Sequence, residues 1–300
     1  MIKEPMLSAK MPSMPELLEA MKYPMLGSRK IDGIRAIVSN HEGIPRLYSR
    51  KLKLIPNGWA QTLFGAERLI GLDGELVVGD AFGEGVFARS TSGIMSRDGT
   101  PDLTYHVFDH WVDKTRDYLY RRGVMQMTVS QQPDKIAVVR QEWINGPDEA
   151  EEYHAQSLQL GYEGSMFRHP EAPYKEGRAT ARSSWLFKCK EWEDAEGQVV
   201  GVEQLFHNAN EATVNELGRT KRSSHQENMV PLETLGAFIV HTPDGLEFRV
   251  GGGPGLTSEM RQHFWQVRDS LIGRTLKYRF LSVGVVVLPR HPQFLGFRED

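Results

Sequence analysis

The chain has 300 residues, and its 36 lysines and arginines against 39 aspartates and glutamates give a formal net charge of −3. This slight acidic excess is not the strongly basic balance typical of nucleic-acid-binding domains, so any surface for a phosphate backbone must be a local patch. The single cysteine, Cys189, excludes an intramolecular disulfide and a multi-cysteine zinc site, and it is compatible with a reducing cytosol.

Length and hydropathy predict a globular protein with one large and one smaller domain. No run of about 18 apolar residues is present, so we expect no membrane span. Prolines and charged residues interrupt residues 1–25, which argues against a signal peptide. We therefore expect a cytoplasmic protein.

Short strands separated by turns are predicted in the first half of the chain. Residues 36–38, 46–49, 69–78 and 105–108 have the apolar and aromatic content of strands. A helix is predicted over residues 147–160, because Pro147 opens it, acidic residues occupy its first turns and Gly161 ends it. This order predicts a sheet-rich core with flanking helices.

The pattern changes after Lys190. Residues 191–197 are charged and end in a glycine, so we divide the chain into residues 1–193 and 194–300. Strands are then predicted from residue 198, over 238–241 and 246–250 as a hairpin, and over 276–288.

One helix is predicted between these strands. Thr257 or Ser258 can cap it, and its buried stripe would be Met260, Phe264, Val267 and Leu271. A short barrel with a helix between its strands is the layout of an oligonucleotide-binding (OB) fold.

The most informative motif is Lys30-Ile31-Asp32-Gly33-Ile34-Arg35. Alone, such a string can be an ordinary turn in which Asp-Gly reverses the chain and both charges stay in water. Four more motifs follow in a fixed order: Leu72-Asp73-Gly74-Glu75-Leu76, Tyr105-His106-Val107-Phe108-Asp109, Glu163-Gly164-Ser165-Met166-Phe167 and Leu186-Phe187-Lys188-Cys189-Lys190. From about residue 23 to the C-terminus, the chain resembles the ATP-dependent DNA ligases of the small, bacteriophage type, which are covalent nucleotidyltransferases.

The resemblance implies an α+β fold. An adenylation (nucleotidyltransferase) domain of antiparallel sheets with flanking helices would precede a C-terminal OB-fold β-barrel. It also implies the sealing of 3′-OH/5′-phosphate nicks in duplex DNA, through a lysyl-AMP and a 5′-adenylated DNA intermediate, in DNA replication, repair or recombination. ATP would be the co-substrate, Mg²⁺ the metal and nicked duplex DNA the partner. We expect a monomer that works in a bacterial or virus-infected cytosol.

Within this resemblance, Lys30 is the nucleophile that carries AMP. Its amine must lose a proton to attack, which requires a pKa lowered by desolvation and nearby cations. Lys188 and Lys190 alternate along a strand, so both amines would lie on one face, where they neutralise the α-phosphate, while Phe187 and Cys189 face the core.

Other residues match family positions that contact the nucleotide or the metal. Glu75 and Glu163 would hold magnesium, which prefers one or two carboxylates together with phosphate oxygens and water. Nucleotide contacts would come from both carboxylates and from Lys188, Lys190, Asp32, Arg35, Arg50, Phe108, Arg290 and Arg298. A salt bridge is the alternative for Arg35, and a solvated charge is the alternative for Arg50.

Contacts to DNA are expected from two regions. Arg35 and Arg50 would reach the nick from the first domain. In the second domain, residues 219–225 form a basic segment with hydroxyl groups, and its Arg219, Lys221 and Arg222 suit phosphate contacts without base specificity. A solvated loop is the alternative.

Two other functions stay open at this point. An RNA ligase or a GTP-using capping enzyme shares the lysine motif and the two-lysine motif. Leu72-Asp73-Gly74-Glu75-Leu76 and the C-terminal segment with Arg290 and Arg298 nevertheless favour a DNA ligase. A catalytically idle DNA-binding homologue of the ligases is the other alternative. The intact set of Lys30, Glu75, Glu163 and the two later lysines argues against it.

Overall fold

A computed structural model describes residues 2–11, 13–41, 43–131, 135–214, 220–223, 228–253, 255–281 and 288–298; for residues 213–214 and 220–222 it describes the backbone alone. The chain divides into two compact units, Met1–Lys190 and Glu191–Asp300. The exact boundary, which the sequence places after residue 193, stays a prediction. No helix in the described part of the chain is both long enough and apolar enough to cross a membrane.

The first unit is an α+β structure. Its strands are β1 Met6–Leu7, β2 Met25–Lys30, β3 Ile34–His41, β4 Ile44–Ser49, β5 Leu72–Val78, β6 Leu103–His110, β7 Ile136–Val138, β8 Gln141–Ile144, β9 Gly164–Arg168, β10 Gly177–Arg178 and β11 Leu186–Lys190. Its α-helices are α1 Met14–Ala20, α2 Gly58–Phe64, α3 Val86–Met95, α4 Tyr118–Ser130 and α5 Pro147–Gln159, and 3₁₀ turns lie at Glu67–Leu69 and Ala181–Ser183.

Two larger sheets organise the first unit. One has the order β4-β3-β5-β6-β7 and is antiparallel except for the last pair. The other has the order β11-β9-β2-β8 and is antiparallel throughout. Helices α2, α3 and α4 pack their apolar faces on the first sheet, and α1 and α5 pack on the second. A short parallel pair, β1-β10, joins the beginning of the unit to its end.

The strand predictions for the first unit are confirmed. Residues 36–38, 46–49 and 105–108 lie within β3, β4 and β6. The strand expected over residues 69–78 begins at Leu72, since the residues before it form a 3₁₀ turn. The predicted helix over residues 147–160 is α5, and the positive φ of Gly161, +80°, follows its end.

Gly74 shows why a glycine stands inside β5. A Cβ at this position would lie 2.4 Å from the His106 carbonyl oxygen, and the pairing of β5 with β6 shifts register between Asp73 and Gly74. The close neighbour of Gly74 is therefore the backbone of β6.

The second unit is mostly antiparallel sheet. Its elements are β12 Glu193–Asn208, β13 Ala212–Val214, β14 Thr220–Arg222, β15 Met229–His241, β16 Glu247–Val250, α6 Ser258–Gln266, a 3₁₀ turn at Arg268–Leu271, β17 Thr275–Leu281 and β18 Arg290–Phe297. Five strands form a sheet in the order β16-β15-β12-β17-β18, and β13 pairs with β14 alone. A parallel bridge between Gly252 and Gln293 links the two edges of the five-stranded sheet.

An aromatic cluster forms the core of the second unit. Phe238, Phe264, Phe294 and Phe297 contact one another, with ring centroids 5.4–5.6 Å apart. Edge-on contacts of this kind stabilise a core beyond the area they bury. The predicted hairpin is present as β15 and β16, and Thr257 caps α6 by accepting from the Met260 amide.

The sequence missed three features of this unit. First, β12 begins at Glu193 and not at residue 198. The exposed carboxylates of residues 193, 194 and 196 belong to this strand, which is paired with β17 there. Gly197 lies inside this strand, and a glycine is needed there because a Cβ would approach Val240 Cγ1 to 2.4 Å. Second, Met260 is 39 % exposed, so it is not part of the buried stripe. Third, Leu288, the last residue of the strand expected over residues 276–288, is in a bend; the described part of that strand is β17, and residues 282–287 lie outside the described residues.

The buried charge cluster at the end of β6 yields a prediction for stability. Asp109 is fully buried and ion-paired with Arg121, at 2.9 Å, and with Arg168. Removal of one partner from such a cluster leaves charge buried without compensation, at a cost of about 3–5 kcal/mol. We expect Asp109→Ala to lower the free energy of unfolding by this amount in urea titrations.

Asp102 provides the matched control. It pairs with Lys135 at 2.6 Å, but its side chain is 74 % exposed, and exposed pairs contribute about 0–1 kcal/mol. Equal losses in Asp109→Ala and Asp102→Ala would contradict the assignment of Asp109 as a structural centre.

Candidate active site

A cavity of about 200 Å³ opens in the first unit. Strands of both larger sheets and the short β1-β10 pair form its walls. Its lining is strongly basic, with Arg29, Lys30, Arg35, Arg50, Arg168, Arg178, Lys188 and Lys190, while Glu75 is the acidic side chain in the lining. Ser28, Ile31, Phe108, Val139, Gln141 and Met166 supply the remaining polar and apolar surface beside Leu7, Ser8 and Leu186. Such a cavity suits an anion that carries an apolar group.

Strand register brings two lysines of distant motifs together. Lys30 ends β2 and Lys190 ends β11, and both are in register with Gly164, the first residue of the intervening strand β9. Gly164 has a φ of +146°, and a Cβ there would lie 2.1 Å from the Cys189 carbonyl oxygen. A glycine is therefore required for the three strand ends to meet.

Glu163 occupies the centre of this meeting point. Its amide donates to the Lys30 carbonyl oxygen at 3.1 Å, and its carboxylate is ion-paired with both Lys30 and Lys190. The Glu163 side chain is only 2 % exposed. Burial alone would raise its pKa, but the two ammonium groups outweigh burial and hold the pKa of Glu163 at about 2.

The same contacts overturn one expectation about Lys30. Burial lowers the pKa of Lys30, but the carboxylates of Glu163 and Glu75 outweigh burial, so the pKa lies above its ordinary value. The sequence led us to expect a lowered pKa from desolvation and nearby cations. That expectation is wrong, because the carboxylates together outweigh desolvation.

Glu75 faces the cavity from the other sheet. It lies on β5 in register with Arg35 on β3. Burial raises the pKa of Glu75 to about 7, although Lys30 and Arg35 oppose this shift. Near neutral pH, Glu75 can therefore exchange a proton, whereas Glu163 stays ionised.

Arg35 is fixed by a buried partner. Its guanidinium forms two hydrogen bonds with Asp73, both at 2.6 Å, and the Tyr174 hydroxyl donates to the same carboxylate at 2.7 Å. The guanidinium also lies over the ring of Phe108, 4.8 Å from its centroid. The bidentate pair holds Arg35 and Phe108 as one unit at the cavity wall.

Lys188 lies among cations that favour the loss of its proton. The side chain alternates with buried Phe187 and Cys189, as the sequence predicts, and its amine lines the cavity. Partial desolvation, followed by repulsion from Lys190, Lys30, Arg178 and Arg50, lowers the pKa of Lys188 to about 8. A bound phosphate would relieve this repulsion and return the proton.

Three lining arginines, Arg178, Arg168 and Arg29, escaped the sequence analysis. Arg178 reaches the cavity from β10 and donates to the Ser8 carbonyl oxygen at 2.7 Å. Arg168 ends β9 and pairs with buried Asp109. Alternation from Met166 to Arg168 was a weak signal for the second arginine, while nothing in the local sequence marked Arg178.

The remaining predicted residues are divided between the two units. Asp32 is buried and its charge acts on Lys30. Arg290 and Arg298 belong to the second unit, where Arg298 pairs with Glu196 at 3.3 Å. Lys221 and Arg222 lie on β14, so part of the expected basic loop is a strand, and Arg219 lies outside the described residues.

The two predicted metal-binding carboxylates suit magnesium only if substrate completes the site. Among the described residues, no group of three or more His, Cys, Asp or Glu side chains is placed to hold a metal ion. Glu75 and Glu163 act on the same amine, Lys30, from two sheets. One or two carboxylates with phosphate oxygens and water are what Mg²⁺ ordinarily takes, so this pair fits a nucleotide-borne ion.

Family models match most of the chain. Residues 5–190 match the ATP dependent DNA ligase domain, and residues 230–298 match the DNA ligase OB-like domain. The chain therefore belongs to the ATP-dependent DNA ligase family. The α+β fold, with a nucleotidyltransferase domain followed by an OB-like domain, is confirmed.

Relatives and solved structures agree with this assignment. The DNA ligase of Methanococcus aeolicus is 26 % identical over 202 residues, which is 62 % of this chain and 35 % of that protein. A DNA ligase of African swine fever virus is 26 % identical over 187 residues, or 59 % of this chain and 44 % of the viral protein. The chain thus aligns with less than half the length of these curated relatives.

Among structures, Chlorella virus DNA ligase-adenylate has 27 % identity and a TM-score of 0.54, with 100 % of this chain and 99 % of that chain covered. A structure of the Lig E DNA ligases has 24 % identity and a TM-score of 0.71, covers 99 % of this chain and 100 % of that one, and supports the fold alone.

The Glu163 ion pairs predict how Lys30 titrates. In Glu163→Gln, the loss of the nearest carboxylate should lower the pKa of Lys30, so that the amine becomes reactive at lower pH. Reductive methylation across a pH series, followed by mass spectrometry of the peptide containing Lys30, measures this shift. Glu171→Gln, at an exposed position, should leave the profile unchanged, and an unshifted profile in Glu163→Gln would contradict the electrostatic assignment.

Proposed function

We propose that this protein is an ATP-dependent DNA ligase that seals 3′-OH/5′-phosphate nicks in duplex DNA. The observation that carries the proposal is the Lys30 amine at the edge of a basic cavity, with Glu163 and Glu75 acting on it from two sheets. Family membership supports it, and the related Chlorella virus ligase has been solved as its adenylate. We further propose that the protein works as a monomer in the cytoplasm of a bacterial or virus-infected cell.

The first step would load the enzyme. The lone pair of the Lys30 nitrogen attacks the α-phosphorus of ATP; a P–N bond forms while the bond to pyrophosphate breaks. Lys30 must first give up a proton, which its pairing with Glu163 opposes. Glu75, with a pKa of about 7, is the nearby carboxylate able to take a proton near neutral pH. Magnesium at Glu75 and Glu163 would supply positive charge that favours the neutral amine.

Other predicted residues in or beside the cavity have proposed places in this step. Phe108 would stack on the adenine ring, and Arg35 and Asp32 would contact the nucleotide beside it. Lys188, Lys190, Arg50 and the unexpected Arg178 surround the position of the α-phosphate. Cations fixed in advance at this position stabilise the charge that develops in the transition state.

The next two steps would take place on DNA. AMP passes from Lys30 to the 5′ phosphate of the nick, where a P–O bond forms as the P–N bond breaks. The 3′ hydroxyl then attacks that phosphate and releases AMP. Arg35 and Arg50 would face the nick, and Arg219, Lys221 and Arg222 of the second unit would contact the duplex backbone without reading sequence.

The alternatives are less well supported. An RNA ligase or a GTP-using capping enzyme would need a different substrate on the same lysine chemistry, and the matching family models are those of DNA ligases. A catalytically idle homologue has no need of a lysine, two carboxylates and a basic cavity in one place. Family membership and the basic cavity in which these residues meet both favour the DNA ligase.

Lys30 should be required for all ATP-dependent sealing. Wild-type protein offered nicked DNA, nicked RNA and labelled GTP in parallel should seal the DNA and take up label only from ATP, in a bond stable to base and labile to acid and hydroxylamine. Lys30→Ala should reduce both AMP uptake and sealing to background, because the amine proposed to form the P–N bond is lost.

Lys135→Ala is the matched control for Lys30→Ala. Lys135 is half-exposed and pairs with Asp102 at the surface, so its loss should change neither reaction. Normal AMP uptake by Lys30→Ala would refute the assignment of the nucleophile. Sealing of RNA in preference to DNA would refute the proposed substrate.

Arg290 and Arg298 should matter for loading alone. We propose that they orient the pyrophosphate leaving group, which is absent from the later steps. Arg290→Ala and Arg298→Ala should then lower the rate of AMP uptake by about a hundredfold or more, as losses of transition-state charge stabilisation do, yet spare the sealing of nicks already 5′-adenylated.

Arg249→Ala serves as control for the two arginine variants. Arg249 forms an exposed pair with Glu203 in the same unit, so its loss should affect neither reaction. Equal losses of loading and of sealing at pre-adenylated nicks in Arg290→Ala and Arg298→Ala would contradict a role confined to pyrophosphate.

A further inference from the structure

Gln141 stands at the cavity wall with only half of its amide bonded. It begins β8, pairs with Ser28 of β2, and lines the cavity together with that serine. The Gln141 Nε2 donates to the Tyr118 hydroxyl at 2.6 Å. Its Oε1 is buried, and no described residue donates a hydrogen bond to it. Buried acceptors are almost always satisfied in folded proteins, so this atom calls for a donor that the described residues do not supply.

Tyr118 fixes the orientation of the Gln141 amide. Its hydroxyl has a single proton, which it donates to the Phe108 carbonyl oxygen at 2.9 Å, and a carbonyl can only accept. Burial raises the pKa of Tyr118, so the hydroxyl keeps this proton. The Tyr118 oxygen must therefore accept from Gln141, and only the NH₂ group can supply that bond. The amide cannot turn over without losing it.

The chemistry of the neighbouring residues indicates what the donor belongs to. Phe108, whose carbonyl is held by Tyr118, is the ring on which the proposed function places the base, and the present inference rests on that function. Ile31, Val139 and Met166 add apolar lining, whereas the lysines and arginines would take the phosphates. A donor near Phe108 therefore belongs to the edge of the base.

We propose that Gln141 selects adenine by accepting a hydrogen bond at Oε1 from the 6-amino group of the base. Adenine carries a donor at this position. Guanine and hypoxanthine carry a carbonyl oxygen there, which would meet the Gln141 oxygen as a second acceptor. A site with a fixed polar group rejects a ligand that leaves it unpaired far better than an apolar pocket rejects an isostere. Gln141 is thus a specificity residue for ATP over GTP.

Three nucleotides and one variant test the proposal. Purine riboside triphosphate lacks the 6-amino group, and ITP replaces it with an oxygen. With wild-type protein, kcat/KM for transfer of the nucleoside monophosphate to Lys30 should be about tenfold to a hundredfold lower with either analogue than with ATP. In Gln141→Leu, which keeps the bulk and removes the acceptor, ATP should lose its advantage over purine riboside triphosphate. Gln156→Leu, on the exposed face of α5, should retain the wild-type ratio.

Tyr118→Phe is a second, independent variant. It keeps the buried ring but removes the hydroxyl that holds the amide, so Gln141 becomes free to present its NH₂ group to the cavity. The ratio of ATP to ITP utilisation should then fall, with ITP gaining in absolute rate. A merely structural role for Tyr118 would lower the rates with both nucleotides and leave their ratio unchanged, which would contradict the proposal.

A binding measurement separates this inference from the proposed function. Calorimetry with AMP and with purine riboside 5′-monophosphate reports base preference without any reaction at Lys30. A Gln141-dependent preference for AMP in a protein that forms no lysyl-AMP would support the inference and refute the function. Equal binding of the two monophosphates by wild-type protein, or an unchanged preference in Gln141→Leu, would overturn the inference.

Discussion

One buried carboxylate determines how the centre of the first unit is arranged. Glu163 sits where the ends of β2, β9 and β11 meet, and it pairs with a lysine from each neighbouring strand. Without that negative charge, Lys30 and Lys190 would be two like charges brought together by register alone. The carboxylate makes this register electrostatically favourable, and Gly164 makes it sterically possible. The geometry of the cavity follows from these two residues.

The same arrangement creates a resting state that opposes premature chemistry. Carboxylates hold Lys30 protonated, while desolvation and neighbouring cations lower the pKa of Lys188. Under the proposed function, the phosphates would supply negative charge to the basic wall, and a magnesium ion at Glu75 and Glu163 would weaken the hold of these carboxylates on the Lys30 proton.

Residues whose roles depend on strand alternation or on an ordered motif could be predicted from the sequence. Lys188 and Lys190 share a face as the alternation requires, and the site motifs of the first unit meet around one cavity. What failed depended on distant partners. Arg178 reaches the cavity through the β1-β10 pair. The pKa of Lys30 depends on the carboxylate of Glu163, which is far away along the chain. Met260 has the spacing of a buried stripe but faces solvent.

The beginning and the end of the first unit build one wall together. Met6 and Leu7 pair in parallel with Gly177 and Arg178, and the Ala9 amide donates to the Leu186 carbonyl oxygen at 2.8 Å. Contacts between positions so far apart form late, since a long loop must close before they can stabilise anything. On the ribosome, the N-terminal strand must wait unpaired until nearly the whole unit has emerged. The cavity wall is therefore completed only at the end of this unit's synthesis.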